Sequence, residues 1–438
     1  VQSGWHFYYT RRPGILLVRV FSEKTVVSDI PTAAYVHIPF CRRRCFYCDF
    51  PISVVGDRRD GSNFNTIAHY VTALCQEIQL TAATNHPLQT VFFGGGTPSL
   101  LTVEQVAQVL DALAQQFGIS AAAEISMEID PGTFDLAKVQ GYWAAGVNRV
   151  SLGVQAFQPD LLRVCGRSHQ VEDIYAAIHQ IRQAGFDNIS LDLISGLPGQ
   201  TLQDWQASLE QAIALQPTHL SCYDLTVEPG TPFSRQYKPG STPLPSDEMT
   251  AEMYRTAQRT LTAAGFEHYE ISNYAKPGYQ CRHNRVYWEN RPFYGFGMGA
   301  TSYVEGERFS RPRKTRQYFE WVGERGERGE FSSRFPVPNS ESLSDRLLDT
   351  LMLGLRLADG LRLNSLIETF GRNTLERIWK CLQPYYQEGL VEVLPECGDR
   401  FNGTLLLDCG RIRLSDPEGF LVSNVILVTL FEEFDPTS

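Results

Sequence analysis

Tyr35-Val36-His37-Ile38-Pro39-Phe40-Cys41-Arg42-Arg43-Arg44-Cys45-Phe46-Tyr47-Cys48-Asp49-Phe50 begins as a strand and ends as a cluster of thiols. The run 34–38 is short, apolar and rich in β-formers. Directly after it, Cys41, Cys45 and Cys48 stand with three and then two residues between them, a spacing that brings three thiols onto one loop. Thiolates are the standard ligands of iron–sulfur clusters. Three of them on a four-iron cluster leave one iron for a small molecule that binds through nitrogen and oxygen. Arg42, Arg43 and Arg44 are expected to lower the thiol pKa values and offset the cluster charge. Two readings compete: a structural zinc site with His37 as fourth ligand, and a cysteine-containing loop without a metal.

Outward from that loop, short β-rich runs alternate with longer helical periods. Strands are expected at 34–38, 90–93, 124–129, 148–154, 188–194 and 219–225. This alternation predicts a parallel sheet. Between the strands, Val103, Val106, Val109, Leu110, Leu113 and Phe117 share one helical face, with Thr102 and Gln105 as a capping box. Ile174, Ala177, Ile178 and Ile181 form the buried face of another helix, which Gly185 ends. Thr201 and Asp204 make a weaker box before Trp205, Leu209 and Ile213. Six such units fit an α/β fold of the open, six-stranded parallel (β/α)6 type better than a closed eight-stranded barrel. Parallel strands present ligands at their carboxyl ends.

The expected organisation is a poorly patterned extension over 1–33, a core barrel over 34–277, a Gly-, Arg- and aromatic-rich segment with a linker over 278–338, and a C-terminal domain over 339–438. The linker is read at Pro336-Val337-Pro338-Asn339. Helices followed by short β-like runs near 390–393 and 411–414 point to a small winged-helix-like domain. From Glu341 onward there are 16 acidic and 9 basic residues, a balance of −7. DNA contact needs positive charge, so this domain is not expected to bind DNA.

The 438 residues carry a net charge of −10 with 43% hydrophobic and 20% charged residues, as in an ordinary globular protein without a nucleic-acid partner. No apolar run approaches the ~18 residues of a spanning helix, although peripheral membrane contact is not excluded. The start is not read as a signal peptide, and the expected compartment is the cytoplasm. Ten cysteines are too few for a disulfide scaffold, so the seven outside the cluster are read as buried free thiols.

Several further residues carry chemistry. Gly94-Gly95-Gly96-Thr97-Pro98-Ser99 follows the second strand, where glycines let backbone approach a ligand; a plain tight turn is the alternative. Glu128, Gln155, Arg167 and Asp192 lie at or near strand ends, and polar residues there need partners, either a ligand or one another. His283-Asn284-Arg285-Val286-Tyr287-Trp288 combines an imidazole, a common axial ligand of heme iron, with two aromatics able to stack on a porphyrin. A hydrogen-bonded histidine beside core aromatics is the alternative. The basic run Arg311, Arg313, Lys314 and Arg316 reads as a solvated face, with pairing to heme propionates as the second reading.

The string Cys41-x-x-x-Cys45-x-x-Cys48, with an aromatic at Tyr47, resembles the signature of the radical S-adenosylmethionine superfamily. The stretch 35–50 is similar to one branch, the oxygen-independent coproporphyrinogen III oxidases and their relatives, the HemW-type heme chaperones. The likeness runs from about residue 34 to 430. It implies a [4Fe-4S] cluster on Cys41, Cys45 and Cys48. It also implies S-adenosylmethionine held by Tyr35, Gly95, Gly96, Thr97, Glu128, Gln155, Arg167 and Asp192. The branch often has Ala-Asn after the glutamate, where this chain has Ile129-Asp130, which puts the local geometry there in question. Oxidases usually carry a fourth cysteine two residues after the third; Phe50 stands there instead, as in the chaperones. The motif His283-Asn284-x-x-Tyr287-Trp288 matches the heme-binding motif of HemW-type proteins. The resemblance therefore implies a heme carrier with an unidentified acceptor protein, and next an oxidase that decarboxylates two porphyrinogen propionates through a 5′-deoxyadenosyl radical. Radical modification of RNA is a weaker third reading, against which the acidic balance argues.

Overall fold

The computed structural model describes residues 30–56, 65–328, 342–395 and 410–434. The expected linker at 336–339 and most of the N-terminal extension lie outside the described residues, as do Cys397 and Cys409.

Six parallel strands form the frame: β1 (Ala33–Ile38), β2 (Leu88–Gly95), β3 (Ile119–Ile129), β4 (Arg149–Gln155), β5 (Asn188–Ser195) and β6 (His219–Asp224). They follow one another in order across the sheet. Their residues alternate because successive strand side chains point to opposite faces. One set, including Val36, Val91, Phe93, Ile125, Met127, Val150, Leu152, Ile189, Leu191 and Leu220, belongs to the main hydrophobic core. The helices supply the rest of that core: α1 (Asn65–Leu80), α2 (Val103–Phe117), α3 (Leu136–Ala144), α4 (Val171–Gln183), α5 (Leu202–Ala214) and α6 (Asp247–Ala263). The other set is polar or aromatic: His37, Thr90, Glu124, Glu128, Ser151, Asp192 and Ser221. Its rows meet across the sheet, with Glu128 opposite Ser151 and Asp192 opposite Gly153 and Ser221.

The capping boxes expected at Thr102/Gln105 and Thr201/Asp204 are both formed. Ile174, Ala177, Ile178 and Ile181 are the buried face of α4, and Gly185 follows it at φ +100°.

The sheet is wider than the six predicted strands. Beyond β6, β7 (Glu267–Glu270) and β8 (Asn273–Ala275) add an antiparallel edge, and at the other edge β9 (Tyr294–Phe296) runs parallel to β1. The 278–338 segment thus contributes a strand to the barrel sheet. It also supplies α7 (Arg282–Trp288) and α8 (Thr315–Arg328). Arg311 is neither a solvated charge nor a free anion site. Its guanidinium is fully buried and bonded to the equally buried Glu77 of α1 at 2.7 Å, and Tyr318 donates to the same carboxylate at 2.7 Å.

The C-terminal domain has its own core around Leu351, Leu355, Leu382, Ile412 and Leu430. It consists of helices Leu343–Gly354, Leu363–Phe370 and Arg372–Gln387, a three-stranded antiparallel sheet, and a last helix, Ser423–Phe434. Among the described residues no helix is long and apolar enough to cross a membrane.

Candidate functional site

Phe40 and Cys41 leave β1 in a two-residue strand parallel to Ser53–Val54, which folds the cysteine loop back over the ends of the barrel strands. Backbone contacts pin the loop: Phe46 N–H donates to the Cys165 carbonyl at 2.9 Å, and Phe233 N–H to the Phe46 carbonyl at 3.0 Å. The flanking arginines brace it. Arg44 donates to the carbonyls of Cys48 at 3.1 Å and Phe50 at 3.2 Å, and Arg42 to that of Gly132 at 2.8 Å. Of the three arginines, Arg44 does pull the Cys48 thiol down, but burial outweighs it. Burial pushes Cys41 far up and Cys48 up to about 11, and a further guanidinium, that of Arg167, lies 3.6 Å from Cys45 Sγ. Such thiols ionise when a metal supplies the compensating charge.

The zinc alternative lacks its fourth ligand. His37 is buried, with Nδ1 3.0 Å from Tyr35 Oη and Nε2 3.1 Å from the Pro51 carbonyl. Among the described residues, no three His, Cys, Asp or Glu side chains converge closely enough to hold one ion. Three half-buried thiols around the mouth of a cleft fit a larger, polynuclear group.

That cleft, about 540 Å³, is lined by Cys41, Cys45, Cys48, Gly95, Gly96, Thr97, Glu128, Gln155, Arg167 and Asp192, and its size suits a small molecule. The glycine run lies against the chain's own strand and cysteine loop, with no room for a side chain. A Cβ on Gly95 would lie 2.4 Å from the His37 ring, and one on Gly96 2.7 Å from the Phe40 carbonyl oxygen and 3.0 Å from Cys41 Sγ. Glu128 is fixed by the Gly95 N–H, which donates to it at 3.0 Å. Ser151 donates to both Asp192 oxygens, at 2.9 and 3.1 Å. Burial raises the pKa of both carboxyls, and in Asp192 the Ser221 and Ser151 hydroxyls and the Arg149 guanidinium oppose it. Gln155 sits at φ +68°, a left-handed conformation that non-glycine residues adopt chiefly where their surroundings impose it. Tyr35 is the exception among these residues. It is buried with its hydroxyl turned to His37 and does not line the cleft.

Asp130 stands out only as a departure in the sequence, yet it organises this end of the site. It pairs with Arg167 and accepts from Thr97 Oγ1 at 3.1 Å, while Arg167 also donates to the Gly153 carbonyl at 2.9 Å. The signal was the strand period: two residues past Glu128, Asp130 faces the same way.

The residues of α7 are divided. Trp288 lines the cleft, as do Glu270, Arg356, Phe420 and Asn424. His283 is fully buried, Nδ1 2.8 Å from Thr90 Oγ1 and Nε2 2.9 Å from Tyr287 Oη, with its ring stacked on Phe92. Burial holds its pKa well below the usual histidine value. Glu124 accepts from the N–H groups of Arg282 and His283, both at 3.2 Å, and so anchors the helix to β3.

The Radical SAM superfamily model matches residues 35–212, and the HemN C-terminal domain model matches residues 342–397. The fold and site thus define a radical SAM protein, a class that implies an iron–sulfur cluster and S-adenosylmethionine. The chain is 48% identical to "Heme chaperone HemW" of Synechocystis sp. over 92% of its own length and 97% of that protein. It is 36% identical to "Heme chaperone HemW" of Bacillus subtilis, over 82% and 92% of the two chains. Coproporphyrinogen III oxidase (HemN) from Escherichia coli, a solved radical SAM enzyme, superposes with a TM-score of 0.74 at 25% identity, covering 94% of this chain and 91% of that one. Within the radical SAM class, this chain belongs to the HemW family.

Proposed function

We propose that this protein is a heme chaperone: it binds heme and passes it to an acceptor protein in the cytoplasm, while carrying a [4Fe-4S] cluster and S-adenosylmethionine. The observation that carries this reading is the 48% identity, over nearly the whole of both chains, to a protein named for that activity. Phe50 lining the cleft where oxidases usually have cysteine points the same way.

In this reading Cys41, Cys45 and Cys48 hold the cluster. Gly95, Gly96 and Thr97 admit the amino-acid end of S-adenosylmethionine, and Glu128, Gln155, Arg167 and Asp192 orient the rest, with Tyr35 acting through His37 behind the glycine run. A cluster held by Cys41, Cys45 and Cys48 would supply one-electron reducing chemistry beside the cleft. The chain's own part is to exclude water with the loop 41–50 and to keep Glu128 and Asp192 in a buried setting that holds them ready for polar groups of the ligand. His283, Asn284, Tyr287 and Trp288 form the heme site.

The oxidase reading has one observation in its favour, the superposition on the Escherichia coli oxidase. An anaerobic assay with coproporphyrinogen III, reductant and S-adenosylmethionine separates the two. The chaperone reading expects no protoporphyrinogen, and robust conversion overturns it. Reconstituted protein is expected to contain iron and sulfide in equal amounts; zinc in place of iron removes the cluster assignment.

A further inference from the structure

Behind the cleft, the barrel interior holds a column of buried polar side chains. Ser190 of β5 and His219 of β6 have no exposed surface, and Tyr269 of β7 is buried. Ser190 stands opposite His219 in the sheet, and Asp192, two residues further along β5, faces the same way. Of these four, only Asp192 lines the cleft. Contacts join them in one line. The Cys281 N–H, at the start of α7, donates to Tyr269 Oη at 3.4 Å. That oxygen lies 2.9 Å from His219 Nε2, and His219 Nδ1 lies 2.8 Å from Ser190 Oγ. Ser190 in turn donates to Asp192 Oδ1 at 3.4 Å. The supply of hydrogens fixes the direction of every link. A backbone N–H can only donate, so Tyr269 Oη accepts from Cys281. Its own hydrogen then goes to His219 Nε2. Burial and the Arg149 charge hold the His219 pKa well below the usual histidine value, so the ring is neutral. Its single hydrogen is therefore on Nδ1 and goes to Ser190. All the hydrogens point toward Asp192, which also accepts from Ser151.

Resting on the reading that the cleft takes S-adenosylmethionine, we propose that His219 and Tyr269 are positioning residues for Asp192: acting through Ser190, they keep its carboxylate an acceptor turned to an N–H or O–H donor of the bound molecule. An ionised carboxylate only accepts, whereas a protonated one presents a hydrogen of its own and meets a donor badly. Asp192 needs this support because its surroundings favour the proton. Burial raises it, and the Glu128 carboxyl of β3 and the Cys222 thiol and Tyr223 phenol of β6 face it without bringing positive charge. Against them stand the Arg149 guanidinium of β4 and the serine hydroxyls. Linked hydrogen bonds that run in one direction polarise one another, so Tyr269 and His219 strengthen the donor that Ser190 offers.

Calorimetric titration of the cluster-loaded full chain with S-adenosylmethionine, repeated at falling pH, tests this. His219→Leu is expected to weaken binding by about tenfold, and Tyr269→Phe by less in the same direction. In both, the loss of affinity on acidification should set in at a higher pH than in wild type. His219→Asn, whose amide can donate to Ser190, should recover most of the affinity, which a space-filling role does not require. Infrared difference spectra on acidification, with the Asp192 band identified by its absence in Asp192→Asn, should show that carboxyl taking its proton at a higher pH in His219→Leu. Iron and sulfide content at wild-type levels shows that each variant is folded, and Tyr269→Phe carries the test if His219→Leu is not. S-adenosylhomocysteine keeps the same N–H and O–H donors without the sulfonium charge, so its affinity should fall by the same factor. A loss confined to S-adenosylmethionine would place the action of Asp192 on the sulfonium and overturn the proposal. Wild-type affinity and pH profile in both His219→Leu and Tyr269→Phe overturn it as well, leaving the cleft assignment in place. Absence of binding to wild-type protein overturns both.

Discussion

Two acidic residues show how the same ion-pair chemistry serves different ends. Glu77 and Arg311 are fully buried and join α1 to the segment beyond α7. Removing one partner leaves a charge stranded in the core, at a cost of about 3–5 kcal/mol. Glu77→Ala is therefore expected to lower the unfolding free energy by that amount in urea titrations. Asp130 holds Arg167 at the cleft, and the two side chains keep 26% and 9% of their exposure, so solvent softens the loss. Asp130→Asn is expected to cost about 2 kcal/mol, less than the buried pair. Its larger effect should be on S-adenosylmethionine affinity, measured by calorimetry, because Arg167 and Thr97 both lose their anchor. A variant that binds as tightly as wild type would remove Asp130 from the site. Neither role was legible residue by residue. Arg311 sat in a run that looked solvated, and its acidic partner lay more than two hundred positions away. Asp130 looked like a deviation from a family pattern, although the strand period already placed it beside Glu128.

Elements with strong local signals were readable, and those made by tertiary pairing were not. The six parallel strands and the boxes at Thr102 and Thr201 follow from period and capping chemistry. The strands β7, β8 and β9 are only three or four residues long. Their conformation comes from the sheet edges they join, which no local pattern records. The glycine run at the end of β2 was legible as a close approach but not as to what approaches. The structure supplies the answer: a Cβ on Gly96 meets the carbonyl oxygens of Phe40 and Ile38 at 2.7 and 2.9 Å, and backbone cannot swing aside. Gly96→Ala is expected to cost about 1–3 kcal/mol and to displace Cys41. Reconstituted iron and sulfide should fall together, with far-ultraviolet circular dichroism unchanged. Gly323→Ala is the control, since that helical glycine has open space around its missing Cβ and should gain up to about 1 kcal/mol. Equal iron content in both variants would mean that the glycine run does not position the cysteine loop.

At the scale of the whole molecule, the barrel and the C-terminal domain close the far end of the cleft together. Arg255 binds Glu418 at 2.7 and 2.8 Å, His268 lies 2.8 Å from Asp416, and the Ile271 N–H donates to the Arg356 carbonyl at 3.1 Å. In this wall burial pushes Glu270 up to about 7, against the hydrogen bonds of Asn273 and the Ser272 N–H and the charge of Arg356. An unfolded glutamate titrates near 4.3. Between those values the folded protein retains a proton that the unfolded chain has lost. Stability therefore falls as pH rises through that window, by about 1.4 kcal/mol for each unit of displacement. Asp224, raised to about 6 by burial on the same cleft, adds a smaller decline of the same sign. Glu270→Gln keeps a hydrogen-bonding group and cannot ionise. It should match wild type near pH 4 and exceed it increasingly up to about pH 8. Urea unfolding at several pH values measures the difference. A variant whose stability declines as steeply as wild type would show that another group carries the dependence. The expected divergence would mean that the joint between the two domains is held best with Glu270 protonated, and loosens as the carboxyl ionises.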